Sequence, residues 1–298
     1  MSVPIAKIST ETARAKINLT LHIGRVIGDP SDPYYGYHPL DSLVVFADVG
    51  DRLRSEVSDV TSLHIDGPFG AGLEADERNL ILKAYKAVAL KADIPPLKFT
   101  LTKVLPVASG IGGGSADAAA ALRILMRHAE LSADEWQVIA LSLGADVPVC
   151  VMSSTAHMSG IGGDLHGLTG LGSLQAVLVN PGVAVSTGAV FKAFDTGHPA
   201  WGEVRETPRP QLSRGDLLAR AKDGRNDLQP PATAQQPLIQ TVLEALSRQE
   251  GCALSRMSGS GATCFGLFSN AEMAKAAANA IAENHPDWWV VPTVLGEG

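Results

Sequence analysis

A glycine-rich loop that runs directly into an alanine-rich helix is the feature that most restricts how this chain can fold. The segment Pro106 to Ala120 reads PVASGIGGGSADAAA, and apolar and polar residues alternate from Leu97 to Thr102 before it. The alternation predicts a half-buried strand, and the alanines at helical spacing predict a helix from about Ser115. Glycines let backbone N–H groups approach a ligand, and a helix N-terminus favours an anion. We therefore interpret the strand, loop and helix as a phosphate-binding unit.

The loop differs from two familiar phosphate motifs. A P-loop requires a Gly-Lys pair, which the sequence lacks, and a dinucleotide fingerprint would need glycine where Ser115 or Asp117 stands. A flexible turn with glycines for tight packing is the alternative for such a loop considered alone. The helix start and the further motifs described below weigh against that alternative.

Composition and charge limit the class of protein. The 298 residues, 45% hydrophobic and 18% charged, suffice for two domains with packed cores. A net charge of -7 without a basic run argues against nucleic-acid and membrane-surface partners. No segment has the apolar length of a membrane span or a signal peptide, so we expect a soluble, cytoplasmic protein with a small-molecule substrate. We also expect a monomer or weak homodimer. The three cysteines are predicted to be buried small hydrophobes: Cys150, Cys252 and Cys264.

Two polar segments lie in the first forty residues. Strict alternation from Ala13 to Ile23 predicts a strand whose polar face carries Lys16 and Asn18 side by side. An ordinary solvated face is the alternative explanation. A Gly/Pro-rich loop over 28–33 then leads to Tyr37-His38, where an aromatic face beside an imidazole suits a pyrimidine. Stacking of a base on an aromatic ring is worth about 1 to 3 kcal/mol, although aromatics that tether the loop to the surface are the alternative.

A single acid interrupts an otherwise apolar stretch after the glycine loop. Ser132 to Glu135 reads as a capping box, and Gly144 is placed to end the helix that follows. Asp146 comes next, and Pro148 predicts extended chain after it. A carboxylate in apolar surroundings needs a partner or a function. A turn-forming aspartate behind a helix is the alternative.

The remaining pattern predicts further strands and helices. Predicted strands cover 43–49, 174–179, 253–257, 263–268 and 288–294, with two weaker strands within 53–65, and predicted helices begin at 76 and 187 and cover 237–248 and 271–282. The glycines at 160–163 are interpreted as a hinge into the second half, and 196–214 as a surface connection. Strands paired across a glycine turn, followed by a helix and a strand, predict an antiparallel sheet with helices on one face.

Three motifs in order resemble those of the GHMP kinase superfamily. PVASGIGGGS at 106–115 resembles its ATP-binding motif, LGADVP at 143–148 its second catalytic signature, and MSGSGA at 257–262 its third motif. Within the superfamily, AKINL at 15–19 together with Tyr37-His38 resembles the 4-diphosphocytidyl-2-C-methyl-D-erythritol kinase family. NDL at 226–228 also resembles a segment of that family, with no role that the sequence assigns.

The resemblance implies an α/β (α+β) fold of two domains with the nucleotide in the cleft between them. The first, a ribosomal protein S5 domain 2-like domain, would cover 1–160, and the second, a ferredoxin-like α/β domain, would cover 161–298. It also implies ATP-dependent phosphorylation, with Mg²⁺, of the 2-hydroxyl of 4-diphosphocytidyl-2-C-methyl-D-erythritol, in the non-mevalonate route to isoprenoids. A homoserine or mevalonate kinase and a non-catalytic nucleotide sensor are the alternatives.

The resemblance also assigns the site. Lys16 and Asp146 would be catalytic. The implied ATP contacts are Pro106, Val107, Ala108, Ser109, Gly110, Ile111, Gly112, Gly113, Gly114, Ser115, Ala116, Asn79 and Leu80, and Ser115 is also a candidate Mg²⁺ contact. The implied substrate contacts are Asn18, Tyr37, His38, Thr187 and Phe191, with the cytosine between Tyr37 and Phe191. A core position is the alternative for Phe191.

Overall fold

A computed structural model describes residues 8–169, 172–197 and 213–296. Contacts between Cα atoms divide the chain into two compact units whose segments alternate along the sequence. Unit 1 comprises Met1–Ala15, Val49–Val107 and Gly112–Ser153, and unit 2 comprises Lys16–Asp48, Ala108–Ile111 and Ser154–Gly298. Residues 16–48 and 108–111, expected in the first domain, therefore pack within unit 2. The domain boundary at residue 160 stays a prediction.

The predicted helices and strands occur in the predicted order, and the structure adds strands at 156–160 and 164–167 and helices at 147–152, 214–223 and 229–235. The strands are β1 (Ile8–Ile23), β2 (Leu40–Val57), β3 (Ser62–Asp66), β4 (Leu97–Thr102), β5 (Ala156–Gly160), β6 (Asp164–Gly167), β7 (Ser173–Asn180), β8 (Cys252–Met257), β9 (Cys264–Phe268) and β10 (Trp289–Gly296). The helices are α1 (Leu80–Ala89), α2 (Gly113–Leu125), α3 (Ala133–Leu143), α4 (Val147–Met152), α5 (Thr187–Gly197), α6 (Arg214–Asp223), α7 (Gln229–Gln235), α8 (Leu238–Ser247) and α9 (Ala271–Asn284).

Unit 1 packs helices α1 to α4 with a short sheet. Strand β4 pairs antiparallel with the second half of β2 and parallel with β3, which places Leu53 and Ile65 beside Leu101. Phe99 and Leu101 are buried, as their alternation predicts. Helix α2 contacts α1, α3 and α4, because its small alanine side chains allow close helix packing. In sequence, the glycine loop and then α2 follow β4.

Unit 2 contains an antiparallel sheet in the order β10, β7, β9, β8, as the C-terminal pattern predicts. Strand β10 also pairs with β2 through Leu295 and Ala47, and the hairpin of β5 and β6 pairs with the first half of β2. Helices α8 and α9 pack on this sheet around a core that includes Val177, Val242 and Ile281. This unit supplies the segments that hold the middle of the glycine loop.

Two strand predictions need correction. The chain from 40 to 57 is one long strand, so the first of the two weaker strands expected within 53–65 is the end of β2, whereas β3 confirms the second. The glycines at 160–163 are not a hinge. They form the turn of the β5–β6 hairpin, whose pairing of Met158 with Leu165 supplies the backbone hydrogen bonds that a hinge would leave open.

Two helix predictions also need correction. Helix α1 begins at Leu80 with Asn79 as its N-cap, so the acids at 76–77 lie before the helix and not in its first turn. The chain after Asp146 is not extended, because α4 begins at Val147 and carries Pro148 in its first turn. Proline fits there, since the first helical N–H groups have no partner within the helix. In the part of the chain that the structure describes, no helix combines the length and apolar character needed to cross a membrane.

Candidate active site

The middle of the glycine loop is fixed by backbone hydrogen bonds within unit 2. The N–H of Lys16 on β1 donates to the carbonyl of Ile111 at 2.9 Å, and the N–H of Thr263 before β9 donates to the carbonyl of Ser109 at 3.0 Å. Residues 108–111 are therefore held from two sides. A loop held in this way presents its remaining groups in one geometry, which favours a binding site over a flexible turn.

Glycine is required where this loop meets the turn between β8 and β9. Gly110 has a φ of +75°, and a Cβ there would overlap the carbonyl oxygen of Ser258 and lie 2.6 Å from the nitrogen of Gly261. A Cβ at Gly259 would lie 2.5 Å from the carbonyl oxygen of Gly110. The hydroxyl of Ser258 donates to the Gly110 carbonyl at 3.1 Å and accepts from the N–H of Asn18 at 3.1 Å. The first and third motifs of the sequence are thus in direct backbone contact.

The loop continues into helix α2 in unit 1 without a side-chain cap. Gly112 is the N-cap, with a φ of +66°, and the helix begins at Gly113, two residues before the expected Ser115. Gly114 follows, so the first two helical residues have no side chain that could cover the helix end. The unsatisfied N–H groups and the helix dipole are available to an anion at this end. This geometry is the one expected of a phosphate-binding helix.

A buried charged cluster that was not predicted from the sequence supports the start of α2. Lys103 Nζ lies 2.5 Å from Asp51 Oδ2 and 2.6 Å from Asp117 Oδ2, and all three side chains are buried. A Cβ at Gly113 would lie 3.2 Å from Lys103 Nζ. Burial raises the pKa of Asp117, and the two carboxylates raise the pKa of Lys103 against the opposite effect of its burial. The one acid within the alanine run was the available signal.

Removing the lysine from this cluster should be costly. We expect Lys103→Met to lower the free energy of unfolding by about 3 to 5 kcal/mol, because two carboxylates then remain buried without a cation. Adding Asp117→Asn should recover part of the loss. Urea unfolding at pH 7 measures both effects. Lys98→Met on β4 is the control, since the pair of Lys98 with Glu56 is exposed and worth less than about 1 kcal/mol. A loss as small as that of the control would contradict the expectation.

The predicted site residues are distributed over both units. Of the implied ATP contacts, unit 1 contains Asn79, Leu80, Pro106, Val107, Gly112, Gly113, Gly114, Ser115 and Ala116, and unit 2 contains Ala108, Ser109, Gly110 and Ile111. Unit 2 also contains Lys16 and all five implied substrate contacts, Asn18, Tyr37, His38, Thr187 and Phe191, whereas Asp146 belongs to unit 1. The pairing of Lys16 with Asp146 therefore stays a prediction.

The two predicted catalytic side chains, Lys16 and Asp146, are both at least partly buried. Lys16 is only 4% exposed on β1, so the solvated strand face that was the alternative is wrong. Asp146 is half-buried at the N-cap position of α4, and its carboxylate makes no capping hydrogen bond. Its side chain therefore does not serve as the cap of the helix it precedes.

The polar face of β1 offers a buried acceptor. Asn18 is 1% exposed, and its amide nitrogen donates to Ser42 Oγ at 2.7 Å. Its Oδ1 has no hydrogen-bond partner among the described residues. Buried polar atoms are nearly always paired, so a partner from outside the described chain is expected at this oxygen. This amide oxygen is suited to accept a hydrogen bond from a hydroxyl.

Two histidines share a buried carboxylate beside that face. His157 Nε2 lies 2.9 Å from Asp41 Oδ2, and His22 Nδ1 lies 3.7 Å from Asp41 Oδ1. Burial alone would raise the pKa of Asp41, but the two histidines outweigh it and lower the pKa to about 2. No local sequence pattern predicts this cluster, because His157 is more than a hundred residues from His22 and Asp41.

The cluster predicts a pH-dependent stability. Because the pKa of Asp41 falls from 3.8 to about 2 on folding, the ionised carboxylate stabilises the fold above pH 4, and that contribution disappears as the pH falls towards 2. We expect Asp41→Asn to lower the free energy of unfolding by about 2 kcal/mol at pH 7 and by about half as much at pH 3. Urea unfolding at both pH values measures the difference. An equal loss at both would show that the carboxylate charge is not the cause.

The ring of His38 lies against helix α5 and the backbone of Gly24. Nδ1 lies 2.9 Å from the carbonyl oxygen of Gly24, and Nε2 lies 3.2 Å from Asp195 Oδ1. The carbonyl oxygen and the carboxylate oxygen are both hydrogen-bond acceptors. The rings of Phe191 and Phe194 lie 5.4 Å and 6.1 Å from the His38 ring. The structure thus brings Phe191 to His38.

Tyr37, Thr187 and Asn79, three other implied contacts, differ in exposure and in hydrogen bonding. Tyr37 is 58% exposed, and its ring lies 6.5 Å from that of Tyr34. Thr187 Oγ1 lies 2.7 Å from Ser260 Oγ in the third motif. Asn79 uses its side chain within α1, where Oδ1 accepts from the N–H of Ile81 at 3.0 Å. The cytosine position between Tyr37 and Phe191 and the nucleotide contact of Asn79 stay predictions.

Comparison with known proteins identifies the class. Two family models match the chain, the GHMP kinases N terminal domain over residues 79–154 and GHMP kinases C terminal over 209–287. A solved homoserine kinase from Cytophaga hutchinsonii shares the fold with a TM-score of 0.68 and 16% identity, covering 99% of this chain and 96% of that one. Fold and matches define a GHMP kinase, a class of enzyme that uses ATP as a substrate.

Similarity over the full length identifies the family. Proteins named 4-diphosphocytidyl-2-C-methyl-D-erythritol kinase are 47% identical in Roseobacter denitrificans, over 99% of this chain and 96% of the relative, and 50% identical in Ruegeria pomeroyi, over 93% and 95%. The chain belongs to the 4-diphosphocytidyl-2-C-methyl-D-erythritol kinase family. A crystal structure of such a kinase has a TM-score of 0.76 and 29% identity, with 97% of this chain and 100% of that chain covered.

Proposed function

We propose that this chain transfers the terminal phosphoryl group of ATP to the 2-hydroxyl of 4-diphosphocytidyl-2-C-methyl-D-erythritol. The observation that carries the proposal is the 47% identity, over 99% of the chain, to a kinase named for that substrate. The geometry supports it, because a rigid glycine loop ends at an uncapped helix N-terminus that favours phosphate.

The ATP phosphates would lie at the N-terminus of α2, over the N–H groups of 113–115. Mg²⁺ usually needs only one or two protein ligands in addition to substrate phosphates, and the half-buried Ser115 hydroxyl in the first turn of α2 can supply one. Within the described ranges, no group of three His, Cys, Asp or Glu side chains could hold a metal ion. A cation that arrives with ATP fits this donor set, and it would neutralise charge on the phosphates.

Asp146 would accept the proton of the attacking hydroxyl. Lys16 would stabilise negative charge on the phosphoryl group during transfer. These roles suit phosphoryl transfer, because its catalysis comes mostly from positioning and electrostatic stabilisation.

The cytidine diphosphate part of the substrate would bind at His38 and Phe191. The ring of Phe191 is half-buried and tilted by 32° from the His38 ring, which gives an aromatic surface beside a hydrogen-bonding imidazole. The free Oδ1 of Asn18 would accept from a hydroxyl of the methylerythritol part. These residues all lie in unit 2.

The test is ³¹P NMR of the wild-type chain with ATP, Mg²⁺ and 4-diphosphocytidyl-2-C-methyl-D-erythritol, with homoserine, mevalonate and galactose in parallel reactions. A new phosphomonoester signal with the cytidine substrate alone is the expected result. Phosphorylation of homoserine or mevalonate instead would show that the proposed substrate is wrong. Binding of ATP with no transfer to any acceptor would favour a nucleotide sensor.

A further inference from the structure

We propose that Asn226 is a positioning residue that holds the 257–261 turn against the 108–111 loop and thereby sets the geometry of the ATP phosphate site. The inference rests on the proposed function for the identity of the nucleotide. It assigns a role to the NDL segment, for which the sequence offered none.

The side chain of Asn226 is buried and fully hydrogen-bonded. Nδ2 donates to the carbonyl oxygens of Met257 and Gly259, each at 2.8 Å, and Oδ1 accepts from the N–H of Leu228 at 2.9 Å. Both amide protons are thus used on the two ends of the same turn. Only an amide can donate two hydrogen bonds and accept a third from this position.

The backbone around Asn226 is itself anchored to β1. The N–H of Leu21 donates to the carbonyl of Arg225 at 2.8 Å, and the N–H of Asp227 donates to the carbonyl of Leu21 at 2.9 Å. Asp227 Oδ2 accepts from the N–H of Ile23 at 2.8 Å. Strand β1 also carries Lys16. Asn226 therefore holds the turn in a fixed position relative to the strand of the predicted catalytic lysine.

The turn transmits this position directly to the glycine loop. Asn226 holds the carbonyl of Gly259, and the Cα of Gly259 packs so closely on Gly110 that a Cβ would lie 2.5 Å from the Gly110 carbonyl oxygen. Ser258 Oγ adds a hydrogen bond to the same carbonyl at 3.1 Å. A shift of the turn therefore displaces the loop, since no gap between them can absorb it.

An aspartate at this position should disturb the site without unfolding the unit. The Asn226→Asp side chain has the same shape, but its carboxylate would face two carbonyl oxygens and donate to neither. Other contacts that hold β8 would remain, because Gln229 Oε1 accepts from the N–H of Met257 at 2.9 Å and Arg256 donates to the carbonyl of Leu19 at 2.6 Å. The predicted loss is therefore local to the turn.

The experiment compares Asn226→Asp with wild type and with Asn284→Asp, in which the same change is made at an exposed amide on α9. Binding of a fluorescent ATP analogue, direct binding of CDP by calorimetry, the two KM values, kcat and the melting temperature are measured for each. We expect Asn226→Asp to weaken binding of the analogue and raise KM for ATP about 10-fold, and to lower kcat about 10 to 100-fold. The affinity for CDP should stay within about twofold, and the control should match wild type.

A folded Asn226→Asp variant that binds the ATP analogue within about twofold of wild type would overturn the proposal. A merely structural role would lower the melting temperature with both KM values unchanged, and would overturn it equally. If Asn226→Asp does not fold, Ser258→Ala tests the same path, and unchanged binding of the analogue in that variant would count against the proposal. Failure of the wild type to phosphorylate the cytidine substrate would sink the proposed function, while the comparison of nucleotide binding would still decide the role of Asn226.

Discussion

Asp146→Asn should reduce turnover by about 1,000-fold or more while the affinity for ATP stays within about twofold. The amide has the shape of the carboxylate but cannot accept the proton of the attacking hydroxyl. The fold should tolerate the change, because asparagine matches aspartate in size and the side chain of Asp146 is only half-buried. The effect should therefore fall on kcat.

Three measurements on this variant separate chemistry from binding and folding. They are single-turnover phosphoryl transfer, binding of a fluorescent ATP analogue, and the melting temperature. Asp134→Asn is the matched control, since it makes the same change at an exposed acid in the first turn of α3 in the same unit. Turnover within tenfold of wild type would remove Asp146 from the proposed role of base. A lost affinity for ATP would instead place this acid in nucleotide binding.

Gly110→Ala should lower the free energy of unfolding by about 3 kcal/mol and weaken ATP binding more than about 100-fold. The φ of +75° strains any residue with a Cβ, and the added carbon would overlap backbone atoms of the turn at 258–261. Backbone cannot rotate away as a flexible side chain can. The loop and the turn would therefore have to separate at the site where the phosphates are proposed to bind.

Chemical unfolding and titration with an ATP analogue measure the two losses. Gly188→Ala is the matched control, because Gly188 lies in α5 and a Cβ there would meet nothing within 4 Å. Alanine is about 1 kcal/mol better than glycine inside a helix, so the control should be neutral or slightly stabilised. Equal behaviour of the two variants would show that the contact between the two glycine motifs does not matter.

Helices, strands and turns that depend only on neighbouring residues could be predicted from the sequence. The alternation from Ala13 to Ile23, the capping box at 132–135 and the glycine turn between β8 and β9 each specify their structure within a few residues. The structure confirms all three. The prediction of extended chain after Asp146 was wrong because proline interrupts a helix in its interior but fits the first turn of a new one. Pro148 lies in the first turn of α4.

Features that depend on distant partners could not be predicted. The burial of Lys16 and Asn18 was hidden because their alternation with apolar residues is also that of a strand with one face in water. Lys103 lies 52 residues from Asp51 in sequence, so nothing local shows that they meet. Neither the spacing nor the composition of NDL shows that Asn226 donates to the turn at 257–259.

The alternation of segments between the two units affects how the protein can be made. Unit 2 contains residues 16–48, yet the strand that pairs with Ala47 includes Leu295, near the end of the chain. During synthesis that pairing can form only after Leu295, far from Ala47 in the sequence, has been made. Such distant pairing closes slowly and leaves hydrophobic strands unpaired in the meantime. A gene cut at residue 160 would also separate Ala47 from Leu295, so neither half would contain all of unit 2.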